Sequence, residues 1–142
     1  MFRIGEGELV ELYDKLLKFY GKQNWWPVDK DYHRIHRSDP REEIIIGAIL
    51  TQNTSWKNVE KAIENLKRAK ALNLKAVKEM PLDKLMELVK PAGFYRQKSI
   101  YLKEFVKTFP SISHLENVKR EELLRLKGIG KETADVILLY AL

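Results

Sequence analysis

The chain has 142 residues, enough for one domain with its own hydrophobic core. Hydrophobic residues make up 44% and charged residues 32% of it, a composition typical of globular proteins. The 26 Lys and Arg residues outnumber the 20 Asp and Glu residues, and the net charge of +6 favours polyanions such as nucleic acid. No cysteine is present, which excludes disulfides, thiolate nucleophiles and Cys-ligated metal centres within this chain.

The apolar stretches of the sequence are short. The longest, residues 44–50 and 136–142, are far below the roughly 20 residues that a membrane-spanning helix needs. The N-terminus lacks the apolar core of a secretory signal. We therefore expect a cytoplasmic protein with no membrane partner.

The N-terminal part of the chain is predicted to be a helix followed by a loop. Apolar residues recur at helical spacing between Leu9 and Tyr20, and Gly21 ends that helix. Residues 22–39 are rich in aromatic, proline and charged residues and are predicted to form a loop. It contains His33 and His36, which we interpret as part of a solvated basic turn and not as a metal-binding pair.

The middle of the chain carries the strongest helix signals. Asp39-Pro40 is a typical start, with Asp as the cap and Pro at the first helical position. Residues 41–51 are apolar on nearly all sides, which predicts a central, buried helix. Ser55 is the predicted cap of an amphipathic helix over residues 56–69.

Shorter helical segments fill the rest of the chain. They are predicted at residues 74–80, 82–89, 96–109, 114–118, 121–126 and 131–142, with prolines between several of them. No window alternates between apolar and polar residues as a strand does. The predicted fold class is therefore all-α, with eight or nine short helices.

Two glycines near the C-terminus flank a single apolar residue in Lys127-Gly128-Ile129-Gly130-Lys131. Glycine adopts the positive φ angles of a tight turn and lets the backbone approach a ligand closely. Ile129 is predicted to plug the space between two helices, while backbone N–H groups and the two lysines suit a phosphate. We interpret residues 119–142 as a helix-hairpin-helix that binds the DNA backbone without reading bases. The alternative is a Gly-rich connector whose lysines are merely solvated.

Four sequence blocks in this order resemble the endonuclease III superfamily of DNA glycosylases, and within it the 3-methyladenine DNA glycosylases that lack an iron–sulfur cluster. The blocks are Trp25-Trp26-Pro27, Leu50-Thr51-Gln52-Asn53-Thr54, Pro91-Ala92-Gly93-Phe94-Tyr95-Arg96-Gln97-Lys98 and Lys127-Gly128-Ile129-Gly130-Lys131-Glu132. The resemblance implies a multi-helix glycosylase fold. Residues 23–142 would form its helical barrel domain with the hairpin, and residues 1–22 an N-terminal helix of a second, incomplete domain.

The resemblance also implies a reaction, the hydrolysis of the N-glycosidic bond of an alkylated purine during base-excision repair. Glu132 stands where bifunctional members have a lysine, and a carboxylate cannot form the Schiff base of strand cleavage, so the enzyme would be monofunctional. The catalytic aspartate of the family would lie beyond Leu142, and Asp135 does not match it. We therefore expect a truncated chain that is inactive alone and self-associates through its apolar end.

The family's binding residues can be carried over to matching positions here. Trp25, Trp26, Pro27 and Trp56 would wall the pocket for a flipped-out base, although tryptophans also pack in cores. Gln52 would insert into the gap left by the flipped nucleotide, or alternatively bond to the backbone. The set expected to contact DNA is Gln52, Lys127, Gly128, Ile129, Gly130, Lys131 and Thr133. Arg96, Gln97 and Lys98 would either touch phosphate or form a solvated helix start.

The resemblance further names partners and cofactors. The partner would be double-stranded chromosomal DNA with a damaged base, either 3-methyladenine or another alkylated or deaminated purine. No cofactor and no metal ligand set is expected, although a monovalent cation held by the hairpin carbonyls suits the family. Two other functions stay open, a non-catalytic helix-hairpin-helix DNA-binding module and a structural bundle with no specific ligand.

Overall fold

A computed structural model describes residues 28–142. These residues form eight α-helices, two 3₁₀ turns and one π-helical turn, and no strand occurs among them, which confirms the all-α prediction. The helices are α1 (Lys30–His36), α2 (Pro40–Leu50), α3 (Trp56–Arg68), α4 (Leu74–Glu79), α5 (Leu82–Val89), α6 (Tyr95–Thr108), α7 (Arg120–Leu124) and α8 (Lys131–Val136). The 3₁₀ turns are Lys90–Ala92 and Ile112–Leu115, and the π-helical turn is Ile137–Ala141. The predicted helix near the N-terminus lies outside the described residues.

Helix α2 lies at the centre of the described fold. Its residues 43–50 are all buried, as its apolar sequence predicts. The Asp39 carboxylate accepts the backbone N–H of Arg41 at 2.9 Å, and the Glu42 carboxylate accepts that of Asp39 at 3.4 Å. Such reciprocal bonds satisfy N–H groups that the first helical turn leaves unpaired. The residues at its N-terminus therefore specify where α2 begins, and the neighbouring elements bury it.

The other helices pack against α2 or against one of its neighbours. α2 is in contact with α3, α6, α8 and the π-helical turn, and α6 also packs against α4 and α5. Ser55 caps α3 as predicted, and the buried face of α3 consists of Val59, Ala62, Ile63 and Leu66. This packing places the C-terminal end of α2 beside the start of α8, where the sequence predicts the hairpin.

Helix α1 corrects the prediction that residues 22–39 form a loop. Asp29 caps it by accepting the N–H of Tyr32 at 3.0 Å, and Tyr32 and His33 are buried. The His33 imidazole lies 2.8 Å from the Glu43 carboxylate and 2.7 Å from the Ser38 hydroxyl, so the prediction of a solvated turn is wrong for His33. A seven-residue helix is too short to show a periodic pattern, and this one depends on a contact with α2.

The C-terminal segment also differs from its prediction of a single helix. α8 ends at Val136, and the backbone then winds more loosely as the π-helical turn, which buries Ile137 and Ala141. Such turns leave single residues out of the α-helical hydrogen-bond ladder, and sequence periodicity does not reveal them. Within residues 28–142, no helix is long and apolar enough to cross a membrane.

Candidate nucleic-acid interface

The turn between α7 and α8 is built around Gly128. Its φ angle is +88°, and a Cβ added to it would lie only 2.1 Å from a ring carbon of Tyr101 on α6. Gly130, by contrast, has an ordinary φ of −82° and open space where its Cβ would be. Ile129 between them is only 4% exposed and fills the inter-helix core as predicted. The first glycine is therefore required by the fold, and the second is not.

An ion pair joins the two helices of the hairpin. The Arg120 guanidinium donates to the Asp135 carboxylate through Nε at 2.7 Å and through Nη2 at 3.2 Å. Both side chains are mostly shielded from solvent, at 27% and 15% exposed. Because the guanidinium donates two hydrogen bonds to one carboxylate, the pair fixes the relative orientation of the two side chains as well as the distance between them. Asp135 therefore has a structural role in the hairpin, and the expectation that it is not the catalytic aspartate stays a prediction.

The predicted DNA-contacting residues of the hairpin divide by exposure. Lys127, Gly130 and Lys131 are exposed, so a phosphate has access to lysine side chains and backbone N–H groups. Ile129 and Thr133 are buried. Ile129 can therefore offer only its backbone, and Thr133 faces a cavity described below.

Gln52 connects the end of α2 to the hairpin. Its side-chain amide donates a hydrogen bond to the carbonyl of Gly128 at 2.6 Å. The alternative in which Gln52 bonds to the backbone is therefore the one present in this structure, although its acceptor lies in the hairpin and not in its own helix. Insertion of Gln52 into DNA stays a prediction.

A cavity of about 450 Å³ adjoins the hairpin. It lies between the loop after α2 and the start of α8, and it brings four of the sequence-predicted residues together. Its lining consists of Ala48, Thr51, Gln52, Asn53, Thr54, Ser55, Trp56, Glu132, Thr133 and Val136. The Trp56 ring is half-buried, and its Nε1 donates to Glu60 at 2.8 Å. One aromatic side chain, several hydroxyls and amides, and one carboxylate therefore line one concave space, where polar groups can orient a bound ligand.

Comparison with known proteins agrees with this geometry. Residues 46–134, which run from α2 into α8, match the family described as HhH-GPD superfamily base excision DNA repair protein. The chain belongs to this superfamily. HhH denotes the helix-hairpin-helix, so the interpretation of residues 119–142 is consistent with the family.

Individual HhH-GPD relatives show how much of a longer protein the chain spans. A Methanocaldococcus jannaschii protein named as a DNA repair glycosylase is 44% identical over an alignment of 144 positions that covers 94% of this chain and 61% of that protein. The H. pylori 3-methyladenine DNA glycosylase, solved bound to 1,N6-ethenoadenine, is 36% identical with a TM-score of 0.68, covering 97% of this chain and 65% of that one. A non-covalent endonuclease III–DNA complex is only 20% identical but shares the fold, with a TM-score of 0.61 over 98% of this chain and 61% of that one. The chain thus spans somewhat less than two thirds of the length of each of these three proteins.

A second cavity of about 640 Å³ lies on another side of Trp56 in this HhH-GPD chain. Its described lining is strongly charged: Asp29, Lys30, Asp31, Glu43, Glu60, Glu64 and Lys67, together with Val28, Trp56 and Ile63. Within the part of the chain that the structure describes, no group of three His, Asp or Glu side chains is arranged to hold a metal ion. Trp25, Trp26 and Pro27, the other predicted pocket residues, lie outside the described residues.

The loop before α6 contains an exposed aromatic residue that the sequence analysis did not include among the site residues. Phe94 is 61% exposed and has a φ of +45°, a strained conformation for a bulky side chain. The buried Lys98 ammonium supports the loop by donating to the Ala92 carbonyl at 2.8 Å, and burial lowers the pKa of Lys98 to about 8. Lys98 is therefore unavailable to phosphate, whereas Arg96 and Gln97 are exposed.

Phe94 immediately precedes α6, and its left-handed backbone places it outside the helical repeat. The Lys98 Nζ lies 5.9 Å from the centroid of its ring. Phe94 lies in one of the four blocks that carry the resemblance, but neither its exposure nor its positive φ follows from Gly-Phe-Tyr alone.

Proposed function

We propose that the protein containing this chain is a monofunctional DNA glycosylase, which hydrolyses the N-glycosidic bond of an alkylated purine such as 3-methyladenine in double-stranded DNA. The observation that carries the proposal is the cavity of about 450 Å³ in which Gln52, Trp56 and Glu132 meet beside the hairpin. The H. pylori relative, named as a 3-methyladenine glycosylase and bound to a modified adenine, supports an alkylated purine as the substrate.

The chemistry of the cavity suits a cationic base. Methylation at N3 or N7 of a purine nucleotide leaves the base positively charged and already a good leaving group, so little general acid is needed. The face of Trp56 attracts such a cation, and the Glu132 carboxylate adds a negative charge at the same cavity. In this proposal Trp25, Trp26 and Pro27 supply another wall.

In this proposal the hairpin binds the phosphate backbone of the duplex. Lys127 and Lys131 are exposed on either side of the turn, and each can neutralise a phosphate with release of counterions. The N–H groups at the exposed Gly130 and Lys131 add hydrogen bonds that carry no base specificity. Bases are flipped out of a duplex before such enzymes act on them, and the hairpin would hold the strand while this happens.

The hydrolysis needs neither a cofactor nor a lysine nucleophile. Glu132 faces the cavity at the position that resemblance assigns to the lyase lysine, so water is the proposed nucleophile. The aspartate beyond Leu142, and a monovalent cation at the hairpin carbonyls, stay predictions. The hairpin carbonyl of Gly128 already accepts one hydrogen bond and has a second lone pair for such an ion.

Replacing Trp56 by alanine separates the glycosylase proposal from a non-catalytic DNA-binding module. We expect about a 10-fold loss of affinity for a duplex that carries one 1,N6-ethenoadenine and little change for the matched undamaged duplex, because stacking is worth roughly 1–3 kcal/mol per base. Fluorescence anisotropy measures both affinities. Trp56→Phe, which keeps an aromatic face, is the control, and equal effects on the two duplexes would favour the non-catalytic module.

Replacing Glu132 by lysine tests whether this position faces the sugar. An amine there should form a Schiff base with a preformed abasic site, which borohydride reduces to a stable protein–DNA adduct visible on a denaturing gel. The wild-type chain and Glu132→Gln should give no adduct, although Lys131 is adjacent. An adduct with the wild-type chain would mean that Lys131 occupies the lyase position. The absence of an adduct with Glu132→Lys would show that residue 132 does not lie beside the sugar.

A further inference from the structure

Gly128 is held by two side chains from distant parts of the sequence. The Tyr101 ring occupies the place where a Cβ would be, with a ring carbon 2.1 Å from that ideal position. The Gln52 amide donates to the carbonyl oxygen of the same residue at 2.6 Å. The Cα and the carbonyl of one turn residue are thus fixed from two directions, so this peptide cannot rotate unless a contact yields.

The Gln52 side of this contact rests on a rigid element. Gln52 follows α2 by two residues, and residues 43–50 of that helix are all buried. The Thr51 N–H still bonds to the Gly47 carbonyl at 2.9 Å, so the helical hydrogen bonds continue to the residue before Gln52. Asn53 then turns the chain away with a φ of +54°. The amide therefore extends from a fixed base toward the hairpin.

The Gly128 side of the contact affects the positions of the exposed hairpin residues Gly130 and Lys131. Ile129 is buried, and its N–H bonds to the Leu126 carbonyl at 3.1 Å, while Gly130 has open space where a Cβ would be. A rotation at Gly128 would consequently be transmitted to the N–H groups of Gly130 and Lys131. Those are the groups that the proposed function assigns to phosphate.

We propose that Gln52 is a positioning residue that braces the hairpin against α2 in the DNA-free protein. Its amide fixes the direction of the Gly128 carbonyl and thereby holds the phosphate-binding N–H groups in place before DNA arrives. The consequence for DNA binding rests on the proposed function, whereas the brace itself does not. This role is distinct from insertion of Gln52 into the duplex, because an amide bonded to Gly128 cannot lie in the DNA at the same time.

Three substitutions in the full chain test the brace. Gln52→Met has similar length without a donor, and Gln52→Asn keeps the amide one methylene too short to reach Gly128. Gln52→His offers a ring N–H at a similar reach and is the rescue variant. Loss of one hydrogen bond predicts about a 3- to 10-fold weaker affinity for the Met and Asn variants, by the same factor on an undamaged duplex and on one with 1,N6-ethenoadenine, and near wild-type affinity for His.

Two results would overturn the brace. One is unchanged affinity on both duplexes, and the other is a loss confined to the 1,N6-ethenoadenine duplex, which would mean that the side chain acts within the DNA. A circular dichroism melt shows whether each variant is folded at the assay temperature.

A second measurement keeps the inference independent of DNA binding. Amide hydrogen exchange of Ile129, whose N–H bonds to the Leu126 carbonyl, should be about 3- to 10-fold faster in DNA-free Gln52→Met than in the wild type, with His restoring protection. Unchanged exchange would overturn the brace even if the protein binds DNA. If the wild type binds neither duplex while the exchange difference is present, the proposed function fails and the brace stands.

Discussion

Replacing Gly128 by alanine is expected to destabilise the protein by about 2–4 kcal/mol and to remove most of its duplex affinity. The positive φ of +88° costs a residue with a Cβ about 1 kcal/mol, and forcing the new methyl against the Tyr101 ring adds about 1–3 kcal/mol of overpacking. Because Gly128 lies in the turn itself, the strain moves the N–H groups proposed to bind phosphate. Urea denaturation measures the stability loss, and anisotropy measures the affinity.

The neighbouring glycine is the matched control for this substitution. Gly130→Ala should change the free energy of unfolding by less than about 1 kcal/mol, because its φ is ordinary and its Cβ meets no atom within 4 Å. In a Tyr101→Ala background the cost of Gly128→Ala should fall to about 1 kcal/mol, that of the backbone alone. Equal losses for the two glycine variants would show that the close approach of Tyr101 does not constrain the hairpin.

Removing the Glu43 carboxylate is expected to cost about 3–5 kcal/mol of stability. Glu43 is buried, and one of its oxygens accepts from both the His33 ring at 2.8 Å and the Asp29 backbone N–H at 3.1 Å. Glu43→Ala leaves both of those groups without this acceptor inside the protein, which is more damaging than losing an exposed ion pair. α1 should then loosen from α2, because Glu43 accepts from both the cap residue of α1 and its buried histidine.

Two substitutions separate this effect from a general loss of charge. Glu43→Gln keeps an oxygen that accepts from both groups, so we expect a clearly smaller cost than for alanine. Glu64→Ala removes an exposed carboxylate paired with Lys67 and should change stability by less than about 1 kcal/mol. Thermal melts followed by circular dichroism compare the three variants. A Glu43→Ala protein as stable as Glu64→Ala would show that the buried cluster does not hold α1.

Elements with strong local signals could be predicted from the sequence. α2 follows from its Asp39-Pro40 start and its unbroken apolar run, and α3 from the Ser55 cap and an apolar stripe at helical spacing. α1 could not, because its stability depends on a buried contact with Glu43 from the next helix. Short helices fixed by tertiary contacts carry little periodic signal of their own.

The candidate site was predictable as a set of residues but not as an arrangement. The motif around Gly128-Ile129-Gly130 indicates the hairpin, yet only the position of Tyr101 shows which glycine the fold requires. Lys98 reads as an exposed cation in the sequence, although it is buried against the Ala92 carbonyl. The bond from Gln52 to Gly128 joins residues far apart in the chain, and no local pattern encodes such a pair.

Base release from alkylated DNA tests the central proposal most directly. The full-length protein containing this chain is incubated with DNA methylated at purine N3 and N7, and the free bases are separated by chromatography while the strands are examined on a gel. We predict release of 3-methyladenine or another methylated purine that leaves abasic sites in intact strands until alkali is added. Two results would contradict a monofunctional alkylpurine glycosylase. One is that no base is released when the folded protein is in excess over the methylated purines in the DNA, and the other is strand cleavage that accompanies base release without alkali.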